Sequence, residues 1–327
     1  MTRETDTESL TAGVIGVGSM GQHHARIYNE LPEANLVGVY DVDTEQAVEI
    51  AEKNGTEALE IDELLASVEV VSIAVPTAYH YEMATKAIEH GVHVLIEKPF
   101  VDERDQGEEL LAQADENDVL VQVGHIERFN PAIMALRDIV PDLDIISVDA
   151  KRLGPPIDRE LGDTVVRDLM IHDIDILLWL IDASVTSVAA FDTNEAHTIA
   201  NFEFDDGTVG SLTASRVTQR KVRELTITAE SCHVEVDYID QSVEIYRHSL
   251  PEYIEENGDI RYRHESIVER PMVDNAEPLK SELSAFIDAA QTGNIPTVSG
   301  QDGLRAVEYV EAIEELTTRD STATNNE

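Results

Sequence analysis

Cysteine is almost missing from this chain. Cys232 stands alone, which excludes an internal disulfide and any CxxC metal site. A lone thiol in an otherwise ordinary chain reads as a small buried hydrophobe, and no metal centre is expected. Lysine is scarce as well, with six in 327 residues. No apolar run approaches the roughly 18 residues that a membrane-spanning helix needs. The first ten residues, MTRETDTESL, lack the apolar core of a signal peptide. The expected setting is the cytoplasm, with no membrane partner. No internal repeat or low-complexity linker is present.

Negative charge is abundant. Sixty-six acidic residues face 23 basic ones, for a formal net charge of −43. The acids are spread along the whole chain rather than gathered in a tail. A hydrophobic fraction of 42% excludes an acidic disordered protein. The profile is that of a salt-adapted, haloarchaeal-type surface, whose carboxylates stay hydrated in brine while salt screens their repulsion. Such a surface repels nucleic acid. The length points to about two domains.

Between residue 11 and about 122, short apolar runs alternate with helical patterns. AGVIGVG, NLVGVYD, VVSIAV, HVLIE and VLVQVG read as strands, with helices over 20–31, 44–53 and 79–90. That rhythm predicts a parallel sheet covered on both faces. After residue 125 it changes. Helices are expected over 130–140 and 164–181, and then strands near 185–192, 197–204, 208–217, 222–230, 232–238 and 242–247. Two more helices are expected over 278–291 and 301–318. The expected fold is an α/β Rossmann domain over 10–123 followed by an α+β domain over 124–318 with a mostly antiparallel sheet. Its last helices are free to pack back on the first domain. Residues 1–9 and 319–327 read as frayed tails.

The segment GVIGVGSMGQHHARIY carries Gly16, Gly18 and Gly21 in the GxGxxG spacing. The first glycine makes a tight turn, the second lets a pyrophosphate approach the backbone, and the third lets helix and strand pack closely. Ser19 and Met20 lie where the following helix begins, and its amides suit phosphate. Asp41 falls 20 residues after Gly21, at the end of the second strand. A carboxylate there binds the ribose hydroxyls and repels a 2′-phosphate, so NAD is preferred over NADP.

Lys98 closes the run VLIEKPF at the carboxyl end of a predicted parallel strand, where open α/β sheets bind ligands. Desolvation and positive neighbours would suit such a lysine to proton transfer. In VVRDLMIHDIDILLWLI, residues 165–181, Asp168, His172 and Asp175 recur at helical spacing and form one polar stripe. There Asp168 is expected to fix the tautomer of His172, giving a proton relay suited to alcohol oxidation.

Together with AVPTAYH at 74–80 and EKP at 97–99, these motifs resemble the Gfo/Idh/MocA oxidoreductases over nearly the whole chain. The resemblance implies a C-terminal domain on a large open sheet and NAD(P)-dependent chemistry on a sugar, cyclitol or nucleotide sugar. It also implies that Lys98 and His172 are the catalytic pair, with Asp168 as their partner and a substrate ligand. Glu97 and Lys98 would border the nicotinamide ribose, and Val75, Pro76, Thr77 and His80 would lie beneath the cofactor. A cis peptide before Pro99 is implied too. One departure stands out, since Asp163 and Thr164 occupy positions where many members carry a Gly-Gly pair.

VGHIERFNPAI (123–133) and KRLGPPIDRELGDTVVRDLMIHDIDI (151–176) look like the branch of that family that oxidises the 3-hydroxyl of UDP-N-acetylglucosamine. Arg128, Arg137, Lys151, Arg152, Arg159 and Arg167 cluster within forty positions, and a pyrophosphate-bearing substrate would explain such local positive charge. Arg128, Asn130 and Arg152 are expected to face the substrate. A second basic window, 216–223, reads as alternating sheet residues at a subunit interface. A homodimer or homotetramer through the C-terminal sheet is expected. The alternatives are an inositol or free-sugar dehydrogenase of the same family and, in another class, a non-catalytic NAD-binding sensor or scaffold.

Overall fold

In the computed structural model, residues 9–156, 163–194, 196–248, 252–256, 259–263 and 265–323 are described. The chain divides into two compact units. One comprises the stretch up to Phe129 together with Glu277–Glu308, and the other comprises Asn130–Ala276 with the remainder of the chain.

The first unit is built on six parallel strands: β1 (Leu10–Ile15), β2 (Ala34–Tyr40), β3 (Glu57–Ala58), β4 (Val70–Ile73), β5 (His93–Glu97) and β6 (Val121–Gly124). Their order across the sheet is β3-β2-β1-β4-β5-β6. The helices are α1 (Gly21–Glu30), α2 (Thr44–Asn54), α3 (Ile61–Leu65), α4 (His80–Glu89) and α5 (Arg104–Glu116). Asp43 caps the start of α2 by accepting from the Gln46 amide, and Gly55, at φ +69°, ends it in the left-handed region, which only glycine adopts without cost. Both faces of the sheet are covered, as the near-continuous apolar strands require. Ile15, Ile73, Val94, Ile96 and Val123 pack with Ala84, Ile88 and Leu110 on one side. On the other, Val14, Val39, Val70 and Leu95 pack with Ala25, Tyr28, Leu283 and Phe286.

The strand order reverses between β1 and β4, the switch point where doubly wound sheets bind their ligands. At this carboxyl edge the loops after Ile15, Ile73 and Glu97 leave the adjacent strands β1, β4 and β5.

The second unit contains α6 (Pro131–Leu136), β7 (Ile145–Leu153), α7 (Ile171–Leu180), β8 (Val185–Thr193), β9 (His197–Phe204), β10 (Val209–Ser215), β11 (Val222–Ala229), β12 (His233–Asp237), β13 (Ser242–His248), β14 (Glu252–Glu256), β15 (Asp259–Arg263) and β16 (Ser266–Glu269). The last helices are α8 (Pro278–Thr292), in the first unit, and α9 (Gly300–Ala323), which crosses the division after Glu308. Eight strands form one sheet in the order β16-β13-β12-β11-β7-β10-β9-β8. Only β7 and β10 run parallel, so the sheet is mostly antiparallel, as expected.

Three readings of the sequence need correction. The central strand β7 went unread, because Asp149, Lys151 and Arg152 mask its alternation; Val148, Ala150 and Arg152 point inward. Strands β3 and β14 to β16 also escaped notice. The expected continuous helix over 164–181 opens instead with a π-helical turn, Val166–Met170. That turn offsets the 3.6-residue register on which the single polar stripe rested. Arg159 lies outside the described residues, as do most of the two tails.

The surface charge has a thermodynamic consequence. With 66 acidic and 23 basic residues, self-repulsion opposes the compact state until salt screens it. Raising KCl from about 0.1 M to about 2 M is expected to lift the melting temperature by more than about 10 °C. Calorimetry across that series checks this, and a flat profile would contradict it.

Candidate active site

The phosphate loop is shaped by contacts that exclude side chains. Gly16 has φ +85°, and a Cβ there would stand 2.8 Å from the backbone of Ala74. A Cβ on Gly21 would fall 1.7 Å from the Gly16 carbonyl oxygen. A Cβ on Gly18 would meet nothing within 4 Å, leaving the open space that a pyrophosphate needs. Ser19 is exposed beside it. Helix α1 begins after Met20 without a side-chain cap; the Gln22 and His23 amides donate to the Gly18 and Met20 carbonyls, and the positive end of the helix dipole favours a phosphate there. Asp41 accepts from the Val17 amide at 2.7 Å through Oδ2 and from the Asp43 amide at 2.9 Å through Oδ1. The carboxylate meant for the ribose thus also fixes the loop. These features fit a bound dinucleotide.

The two neighbouring loops are tied together by His80, which is 1% exposed. Its Nδ1 lies 2.8 Å from the Pro99 carbonyl and its Nε2 2.9 Å from the Val75 carbonyl. Burial pushes the imidazole pKa down against the pull of those carbonyls. His80 thus straps the Val75–Thr77 loop to the turn at Pro99. Pro76 leads into a short 3₁₀ turn over Thr77–Tyr79 that delivers His80 to this place. The Lys98–Pro99 peptide is cis, as expected. Lys98 is half-buried at the end of β5, and Glu97 beside it is buried against His24, 2.9 Å from its Nε2.

In the second unit, Asp168 sits in the π-helical turn and His172 in the first turn of α7. Both are half-buried, and the Nδ1 of His172 is shielded from solvent. Asp168 accepts a 2.7 Å bond from Arg216. The same guanidinium donates to the Asp163 carbonyl at 2.9 Å. Thr164 accepts from the Arg167 amide at 3.1 Å and donates to Glu314 at 2.6 Å, while Arg167 pairs with Glu314 at 2.9 Å. The Asp163-Thr164 departure therefore builds a capped and braced turn in place of a glycine pair. A π turn of this kind is often found at functional positions.

The comparisons with known proteins agree with this geometry. A family model for the Gfo/Idh/MocA oxidoreductases, with an NAD-binding Rossmann fold, matches residues 10–125, and one for the GFO/IDH/MocA C-terminal domain matches residues 147–235. The chain belongs to the Gfo/Idh/MocA oxidoreductase family. A UDP-N-acetylglucosamine 3-dehydrogenase of Acidithiobacillus ferrooxidans is 36% identical over 246 residues, 72% of this chain and 77% of that protein. A solved structure of a UDP-N-acetylglucosamine 3-dehydrogenase from that species superimposes with a TM-score of 0.87 at 30% identity, covering 94% of this chain and 97% of the other. An inositol 2-dehydrogenase of Rhizobium meliloti is 27% identical over 320 residues, 92% of this chain and 94% of that protein.

As a Gfo/Idh/MocA dehydrogenase the chain takes NAD through its Rossmann domain. The residues expected to face a substrate are occupied otherwise. Arg128 is buried, 3.8 Å from Asp302. Asn130 is buried, caps α6 by accepting from the Ala132 amide, and donates to the Tyr238 carbonyl. Arg152 is buried in a two-pronged pair with Asp173, at 2.9 and 2.8 Å, and its guanidinium carbon lies 5.3 Å from the centre of the Tyr238 ring. Burying an arginine requires such a partner, and all three side chains are engaged within the protein. The residue that sequence reasoning passed over is Arg216, in the window read as an interface. Its signal was there: four basic residues without an acid in a chain of net charge −43. Among the described residues no cluster suited to a metal ion is found, and no helix is long and apolar enough to cross a membrane.

Gly18→Ala is expected to leave the melting temperature within about 2 °C of wild type yet weaken NADH binding by about tenfold or more. Gly21→Ala is expected to destabilise the fold by about 1–3 kcal/mol, since the helix must move. Thermal melts and NADH fluorescence titrations check the pair, and equal effects on both readouts would contradict the division of roles.

Proposed function

We propose that the protein oxidises the 3-hydroxyl of a UDP-N-acetylhexosamine to a 3-keto nucleotide sugar. The observation that carries this reading is the 36% identity over 72% of the chain to a UDP-N-acetylglucosamine 3-dehydrogenase, set against 33% over 58% of the chain for one inositol 2-dehydrogenase and 27% over 92% for another. The charge distribution supports it. Arg220 and Lys221 are exposed in the loop that Arg216 anchors to the Asp168 turn. In a chain this acidic, cations beside that turn suit a diphosphate; a free sugar or cyclitol would not call for them.

The Gly16–Gly21 loop and Asp41 would hold NAD, which would supply the hydride acceptor. His172 takes the proton of the reacting hydroxyl, and Lys98 donates a hydrogen bond to the same oxygen. Asp168, aligned by Arg216, supports the charge that His172 gains. The remote uridine diphosphate contributes binding energy that orients the sugar carbon.

In high KCl, NADH absorbance is expected to rise with NAD plus UDP-N-acetylglucosamine or its uronic acid, and to stay flat with glucose and myo-inositol. Turnover on myo-inositol alone would replace the nucleotide-sugar reading by a cyclitol one, and binding of NAD without turnover on any of them would favour a sensor. Lys98→Met and His172→Ala are each expected to lower kcat by at least about a hundredfold. Rates within a few-fold of wild type would remove these residues from their roles.

A further inference from the structure

His24 belongs to the nucleotide-binding motif by position, yet it takes no part in the phosphate loop. It lies in the first turn of α1 and is fully buried. Its Nε2 stands 2.9 Å from Oε1 of Glu97. The other oxygen of Glu97 accepts from the backbone amide of Lys98 at 3.3 Å. Gly124 faces Glu97 across the β5–β6 pair. A Cβ there would lie 3.1 Å from the Cα, Cδ and Oε2 of Glu97, so the carboxylate has a closely defined seat.

We propose that His24 is a positioning residue for the reaction: it holds Glu97 as the carboxylate that sets Lys98 at the end of β5. The proposal rests on the reading above, in which Lys98 serves the reacting hydroxyl. A carboxylate buried without a donor takes up a proton or turns away. Burial does push the Glu97 carboxyl up, but the His24 hydrogen bond and the charges of His24, Lys98 and His80 together hold it below the usual carboxylate range. The sign of the pH effect follows. His24 favours the ionised form, so removing it raises the pH at which the carboxylate is lost. A histidine that merely filled space would be replaced by leucine without any such shift.

The test measures NADH affinity and turnover against pH in the full-length protein at high KCl. The substrate is whichever sugar or cyclitol the wild type oxidises. His24→Leu is expected to move the acid limb of both profiles up by about one pH unit and to lower kcat by about tenfold or more. His24→Gln, which keeps an N–H donor, is expected to stay close to wild type in both. If His24→Leu lowers the melting temperature but leaves both the acid limb and kcat unchanged, the residue only packs and the proposal is overturned. Equal shifts in the Gln and Leu variants would overturn it too. Should the Leu variant not fold, Glu97→Gln decides: loss of the acid limb of NADH affinity supports the proposal, and its persistence overturns it. A wild type that oxidises no UDP-sugar removes the nucleotide-sugar reading, while the NADH profiles still decide the role of His24.

Discussion

At the carboxyl edge of the parallel sheet, backbone lies against backbone with no room for a side chain. Gly21 approaches the Gly16 carbonyl so closely that a Cβ would sit 1.7 Å from it, and Gly16 presses on Ala74. Asp41 fixes the loop between them by holding the Val17 amide. The loop after β4 then continues to Val75, whose carbonyl meets His80, and the other side of the His80 ring meets the Pro99 carbonyl. Lys98 is the residue before that proline. The phosphate loop and the lysine are thus linked by a series of close contacts made where the chain leaves β1, β2, β4 and β5. The switch point of the sheet brings these strand ends together, and the contacts fix their spacing.

The second unit solves a similar problem with charge. Few cations are available, and several are given buried or half-buried partners: Arg152 with Asp173, Arg167 with Glu314, and Arg216 with Asp168. A buried pair adds little stability over an apolar core but strongly disfavours arrangements that leave one member alone. Two of these pairs brace the turn from Asp163 to Asp168, one from the strand β10 side and one from α9. A π-helical turn has a looser hydrogen-bond ladder than an α-helix, so side-chain braces are what keep Asp168 in place. Most of the remaining carboxylates lie on the surface, where salt screens them, although Glu97, Asp175 and Glu282 are buried.

Much of the first unit was legible in the sequence. Apolar runs ending in glycine, aspartate or lysine marked both the strands and the edge at which they act, because a doubly wound sheet gathers its function at one end of each strand. The cis peptide before Pro99 followed from the family resemblance rather than from any spacing. Less could be read in the second unit. Strand β7 is central but carries Asp149, Lys151 and Arg152, and its charged inward residue is neutralised by Asp173, 21 residues on in α7. Only the folded chain shows that pairing. For the same reason Arg128 and Arg152 resembled substrate ligands, when local charge without a visible partner was the only signal. Arg216 was hidden by the reverse error: its window looked like a sheet surface, and its link to Asp168 spans 48 residues. The π turn left no trace in residue spacing at all.

In the proposed reaction the hydrogen passed to the cofactor comes from one carbon, C3, of a nucleotide-bound sugar. The direct measurement uses UDP-N-acetylglucosamine carrying deuterium at C3, with NAD, in high KCl, followed by mass spectrometry of the reduced cofactor. Deuterium is expected in the NADH, and the rate is expected to fall below that of the unlabelled sugar if hydride transfer limits turnover. NADH that forms without deuterium, while the label stays in the sugar, would contradict oxidation at that position.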